Sequence, residues 1–150
     1  MTTDSTSNSP DRMDLAVGRQ AILPLLMAFS IACFAGALVT DIVYCKTVAV
    51  TWETFSIWLI TAGLVLAGFA VIAFVIDFVG SKRSRTAALP FAVGYVLAVL
   101  LSLTNAFVHS RDGYTAVVPT GLTLSALTII ILLIGAWVGS VYRHRIGASI

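Results

Sequence analysis

Five residues able to handle protons or small polar ligands fall at two places in the chain: Asp41, then Asn105, His109, Arg111 and Asp112. Asn105 and His109 are four residues apart, so a helix carries them on one face. Together the five offer a carboxylate, an amide, an imidazole, a guanidinium and a second carboxylate. Such a set can bind a small polar ligand, or relay a proton, because imidazole titrates near neutral pH. The same groups also make an ion-pair and hydrogen-bond network tying one helix to another. The structural reading is the stronger one, because no nucleophile or metal-ligand set accompanies them.

A second polar pair lies elsewhere. Asp77 falls near the end of another apolar run, with Lys82, Arg83, Arg85, Arg19 and Arg143 within reach on the same side. A paired carboxylate of this kind serves as an anchor, and we assign Asp77 and Arg143 that role. Cys33 and Cys45 are separated by 12 residues, roughly 18 Å along a helix, too far for a disulfide. The two histidines, His109 and His144, fall at opposite ends of their helices. One chain therefore offers no pair of axial haem ligands at one depth, and neither haem nor any other cofactor or metal is expected. Hydrolase, metalloprotease, phosphate-loop and dinucleotide motifs are all missing from the sequence.

The elements that must position these groups follow from composition. The chain has 150 residues, 59% of them hydrophobic and only 11% charged. A water-soluble domain carries about a quarter charged residues and could not hide so much apolar surface. Lipid is the solvent that suits it. Four apolar runs, about 20–44, 55–79, 88–108 and 120–142, are each long enough to cross a bilayer. Residues 1–18 are rich in Ser, Thr and Asp and read as a flexible polar tail, and 146–150 as a second short one. Residues 19–145 then form the transmembrane domain. Pro24 and Pro90 are expected in the first turns of helices one and three.

Orientation follows from basic residues. Arg12, Arg19, Lys82, Arg83, Arg85, Arg143 and Arg145 fall on one side, against Lys46 and Arg111 on the other. This bias predicts both termini and the middle loop in the cytoplasm. The loops 45–54 and 109–119 then face outward, and the Asp41–Asp112 group becomes an outer polar cluster. A net charge of +2 gives no reason to expect nucleic acid. Small residues recur at four-residue spacing: Ala28, Ala32, Gly36 and Thr40 in helix one; Gly94, Ala98, Ser102 and Ala106 in helix three. Helix two has Gly63 and Ala67, and helix four Gly135 and Gly139. Such ridges let backbones approach closely in lipid. They predict an all-α membrane protein, a compact antiparallel bundle of four transmembrane helices. The same ridges would serve a homo-oligomer or another membrane protein.

Four segments carry a family likeness. They are Gly-Ala-Leu-Val-Thr-Asp-Ile-Val-Tyr (36–44), Ile-Asp-Phe-Val-Gly (76–80), the stretch from Asn105 to Gly121, and Val-Tyr-Arg-His (141–144). Together they resemble the bacterial membrane family catalogued as domain of unknown function 2231, over about 23–147. The resemblance implies a four-helix inner-membrane protein with no settled activity. It also implies that Asp41, Asp77, Asn105, His109, Arg111, Asp112 and Tyr142 occupy the family's recurring polar positions. Leu23 stands where many relatives have histidine before proline, and Phe91 where many have a histidine early in helix three. These departures weaken any haem or metal role drawn from the family's histidines.

The expected function is therefore that of a non-enzymatic, multi-pass protein of the cytoplasmic membrane. Its outer cluster is mainly structural or binds a partner. The alternatives are a redox-associated module beside quinone or haem proteins, and a small proton-coupled permease working as an oligomer.

Overall fold

In lipid, every backbone N–H and C=O must find a partner inside the chain, and the helix is the simplest way to do so. The computed structural model describes residues 10–80, 89–111 and 117–147, with side chains from Ile22 onward apart from those of 77–80, 111, 117, 143, 146 and 147. These residues form four long helices: α1 (Pro10–Thr47), α2 (Val50–Gly80), α3 (Leu89–Arg111) and α4 (Leu122–Gly147). A short wide turn, Val117–Gly121, leads into α4. The stretches long and apolar enough to span a membrane are Ile22–Thr47, Val50–Ile76, Leu89–Ser110 and Val118–Tyr142.

Two boundaries differ from the sequence expectation. Helix α1 begins at Pro10 rather than near Gln20, so Pro24 sits inside the helix instead of in its first turn. Proline is well tolerated at a helix start, where its missing N–H has no partner to lose, and here Pro10 takes that place. The expected loop at 45–54 shrinks to Val48 and Ala49. The chain turns there by placing Val48 in the left-handed region, with φ of 53°. The Val48 N–H donates to the Tyr44 carbonyl at 2.8 Å, closing the end of α1. The Thr47 hydroxyl accepts the Ala49 N–H at 3.4 Å. Without such a corner, the ends of α1 and α2 would not be brought level.

Helix α1 packs along α2 and α3 along α4, while α1 also meets α4 and α2 meets α3. The helices thus form a ring in chain order, with α1 and α3 across the diagonal. Phe34, Ala67, Ala70, Tyr95, Ala98 and Leu132 make the apolar centre. Small residues set the close approaches. A methyl group built on Gly94 would lie 3.2 Å from the Gly135 Cα, so α3 and α4 touch backbone to backbone. A methyl on Gly63 would lie 2.7 Å from the Phe34 ring, which makes the glycine the seat for that ring.

The small-residue ridges of α2, α3 and α4 face inward, with Gly63, Ala67, Gly94, Ala98, Ser102, Gly135 and Gly139 buried. The ridge expected on α1 does so only in its second half: Thr40 is buried and a methyl on Gly36 would lie 3.2 Å from Leu59 of α2, whereas Ala28 and Ala32 are exposed. Helix α1 buries Ser30, Phe34, Ala37, Thr40, Asp41 and Tyr44. Polar groups cost far more than alanine in contact with lipid, so Asp41 and Ser30 set which face turns inward. The outer surface is correspondingly apolar, with Trp58, Phe107, Leu133 and Trp137 all exposed.

Valine is disfavoured in the left-handed region, at a cost of about 1–2 kcal/mol. Val48→Gly is therefore expected to stabilise the bundle by up to about 1 kcal/mol, with glycine's extra freedom in the unfolded chain offsetting the rest. Unfolding in mild detergent with increasing denaturant should show a higher midpoint than the parent; a lower one would mean that the corner carries no strain.

Candidate functional site

The close corner between α1 and α2 puts Asp41 and Ser56 at one level, since each lies equally far from it along its helix. Asp41 is completely buried, as is Ser56. The Ser56 hydroxyl donates to Asp41 Oδ1 at 2.5 Å. From α4, the Ser125 hydroxyl donates to Asp41 Oδ2 at 2.6 Å. From α3, His109 Nε2 stands 3.3 Å from Asp41 Oδ1. One carboxylate on α1 thus meets a polar group from each of the other three helices.

The remaining hydrogen bonds fix how these groups are oriented. The single Ser125 proton goes to Asp41, so its oxygen accepts, and Asn105 Nδ2 donates to it at 2.8 Å. That places the amide nitrogen toward Ser125. The Asn105 Oδ1 atom is left buried with no hydrogen-bond partner among the described residues. His109 Nδ1 lies 3.0 Å from the Asn105 backbone carbonyl. A carbonyl only accepts, so Nδ1 carries a proton. The contact between Nε2 and Asp41 Oδ1 then holds one further proton between imidazole and carboxylate. A neutral imidazole facing a bare carboxylate would set two acceptors against each other.

Two more residues complete the surroundings. Glu53 is buried in the first turn of α2, three residues before Ser56 and so on the same side of that helix. Gly121, at the end of the wide turn before α4, lies against the histidine ring. A methyl group there would come within 2.8 Å of His109 Cε1 and 3.5 Å of Asn105 Oδ1.

Of the residues proposed from sequence, the structure brings Asp41, Asn105 and His109 together. Arg111 ends α3, but its side chain lies outside the described residues, as does Asp112 altogether. Asp77 and Arg143 belong to α2 and α4, and their side chains also lie outside the described residues. Sequence reasoning missed Ser56, Ser125, Glu53 and Gly121. Ser56 and Glu53 were hidden because the loop was expected to reach residue 54, which left no reason to count their depth from a corner at 48–49. A serine on an apolar helix is also ordinary, since its hydroxyl can bond its own backbone.

A second polar tie crosses the same diagonal further along α1. Ser30 donates to the Met27 carbonyl at 2.8 Å, so the Tyr95 hydroxyl donates to Ser30 Oγ, at 2.5 Å. Among the described residues, no three His, Cys, Asp or Glu side chains gather as metal ligands would. Chemically, the main cluster is equipped to hold a proton and to lock helices, with its polar atoms turned toward one another.

The family described as a predicted membrane protein, DUF2231, matches residues 19–149. The chain belongs to this family. The match takes in all four spans and every residue of the cluster. A comparison with curated proteins and with solved structures finds no match. In this DUF2231 chain the long stretch Asn105–Gly121 noted above includes Asn105, His109 and Gly121, three members or neighbours of one buried network.

The Gly121 contact generates a direct expectation. His109 is held at both ring nitrogens, so it cannot swing away from an added methyl. Gly121→Ala should destabilise the bundle by about 1–3 kcal/mol, the usual cost of overpacking. Ser110→Ala, one residue from His109 but exposed, is the control and should leave the melting temperature within experimental error. Equal melting of the two variants would remove Gly121 from the account.

Proposed function

We propose that this protein is a non-enzymatic, multi-pass component of the cytoplasmic membrane. Its Asp41–His109 cluster is a lock that fixes the four helix ends at the outer face. One observation carries the lock: Asp41 takes partners from α2, α3 and α4, and none of these groups is more than 4% exposed. A site built to receive a ligand from outside keeps part of its polar equipment open to it. In this cluster the polar atoms of Asp41, Ser56, Ser125 and His109 are matched to one another, with Asn105 Oδ1 the exception. A charge or hydroxyl released inside lipid is costly, so the network ties helix position to hydrogen bonding. The inward bias of basic residues supports a cytoplasmic N-terminus and C-terminus, with the cluster toward the outside. A rigid bundle of this kind acts by association with a second membrane protein. The outward-facing Ala28 and Ala32 on α1 support that, because small side chains permit close helix contact.

Two measurements test this reading. His109→Ala leaves the buried carboxylate without its nitrogen partner and should cost about 3 kcal/mol, whereas Ser125→Ala should cost about 1–2 kcal/mol. Thermal unfolding in detergent checks both, and unchanged melting in both variants would refute the lock. For orientation, a reporter active only in the cytoplasm should be active when fused to either end of the chain. Activity of a periplasmic reporter at either end would reverse the assignment.

A further inference from the structure

The far end of α4 carries charge that the buried cluster does not use. His144 and Arg145 lie exposed in its last turn, and neither side chain meets a hydrogen-bonding or ion-pairing partner among the described residues. Before them runs an apolar column. Leu127, Ile130, Ile134, Trp137 and Val141 recur at alternating spacings of three and four, so they share one face of α4, and all are exposed. His144 and Arg145 follow Val141 by three and four residues and continue that face. Leu127 to Val141 is 14 residues, about 21 Å of helix, against about 15 Å of hydrocarbon in one leaflet. Trp137 is 70% exposed and lies about 12 Å before Arg145. An indole so placed suits the boundary between acyl chains and headgroups. The face thus presents hydrocarbon, then an interfacial ring, then two nitrogen donors. A phospholipid has the matching order, from its chain ends to its phosphate.

We propose that this face of α4 is a binding site for one anionic phospholipid. The Arg145 guanidinium donates to two phosphate oxygens, a ring N–H of His144 donates to the same phosphate, and one acyl chain lies along Trp137, Ile134 and Ile130. Charge complementarity selects the occupant. A zwitterionic lipid carries its own cation beside the phosphate, which competes with Arg145. An anionic lipid has no such competitor, and its negative charge attracts arginine near the surface.

The opposite end of the bundle gives the contrast. On α1 the exposed Val39 and Ile42 lead to the exposed Lys46. Lysine there offers a single point charge, without the paired donors of a guanidinium that match a phosphate. The proposed site is also remote from the buried cluster. His144 lies 19 residues beyond Ser125 on the same helix, about 29 Å away. Loss of the lipid site therefore leaves the Asp41 network intact. The site is defined by the end of α4, whichever side of the membrane that end faces.

The chain has three tryptophans, so Trp52→Phe together with Trp58→Phe leaves Trp137 as the lone indole emitter. This protein is placed in phosphatidylcholine nanodiscs containing a small fraction of lipid with brominated chains, which quench a neighbouring indole. Brominated phosphatidylglycerol should quench Trp137 at about one-fifth of the mole fraction that brominated phosphatidylcholine needs, the preference expected from one arginine beside an anionic headgroup. The preference should shrink as salt is raised. Arg145→Gln with His144→Gln should make the two lipids quench equally, and the protein should melt like its parent because both side chains are exposed. Lys46→Gln should leave the preference in place. Trp137→Phe, which keeps the two indoles at the other end, should report none. Equal quenching of Trp137 by both lipids while the two bases are present overturns the proposal. So does a preference that survives the loss of both bases, or the same preference at Trp52 and Trp58.

Discussion

Asp41 is fully buried in a bundle whose surroundings are hydrocarbon. Hydrocarbon offers no hydrogen bonds, so the carboxylate has to be satisfied from inside the protein. Three helices supply a polar group each: Ser56, Ser125 and His109. This single requirement fixes the depth of α2, α3 and α4 relative to α1. A slip of one helix by a turn, about 5.4 Å, would strand a hydroxyl or an imidazole in the apolar interior. Packing of small residues sets how closely the helices approach; the carboxylate sets their register.

The same requirement decides which face of α1 turns inward. A row of small residues, Ala28, Ala32 and Gly36, would have made a smooth packing surface. The bundle turns inward the neighbouring line from Ser30 to Tyr44, and only the Gly36–Thr40 end of the small-residue row packs with it. The loss of a few alanine contacts is small beside the exposure of a carboxylate to lipid. Two polar ties, Ser30–Tyr95 and Asp41–His109, then cross the diagonal between α1 and α3 at two levels. Between them lie Phe34 and Ala98 of the apolar centre.

Closure of this network is nearly complete. Its polar atoms face one another, which makes it rigid and keeps it from solvent. Among the described residues it leaves one buried side-chain acceptor without a donor, Asn105 Oδ1. Hydroxyl groups suit such a network, because each can turn its one proton without moving a heavy atom. Serine, from both α2 and α4, is therefore a fitting partner for a buried carboxylate.

Several features of the protein were legible from residue order alone. Four apolar runs with few charges required four spanning helices, because backbone polar groups in lipid leave few other choices. Asp41, Asn105 and His109 could be placed near one end of their helices by counting residues, and the small-residue rows of α2, α3 and α4 followed from their spacing. Other features depended on side chains meeting across helices. Val48 adopting a left-handed turn shortened the corner to two residues and brought Ser56 level with Asp41. No local signal separated Ser56 and Ser125 from serines that bond their own helix. The inward face of α1 was settled by competition between a smooth ridge and a buried charge. Residue type and count determined what had to be buried; only the assembled bundle decided which groups would satisfy it, because a partner is chosen by distance between helices and not by position along the chain.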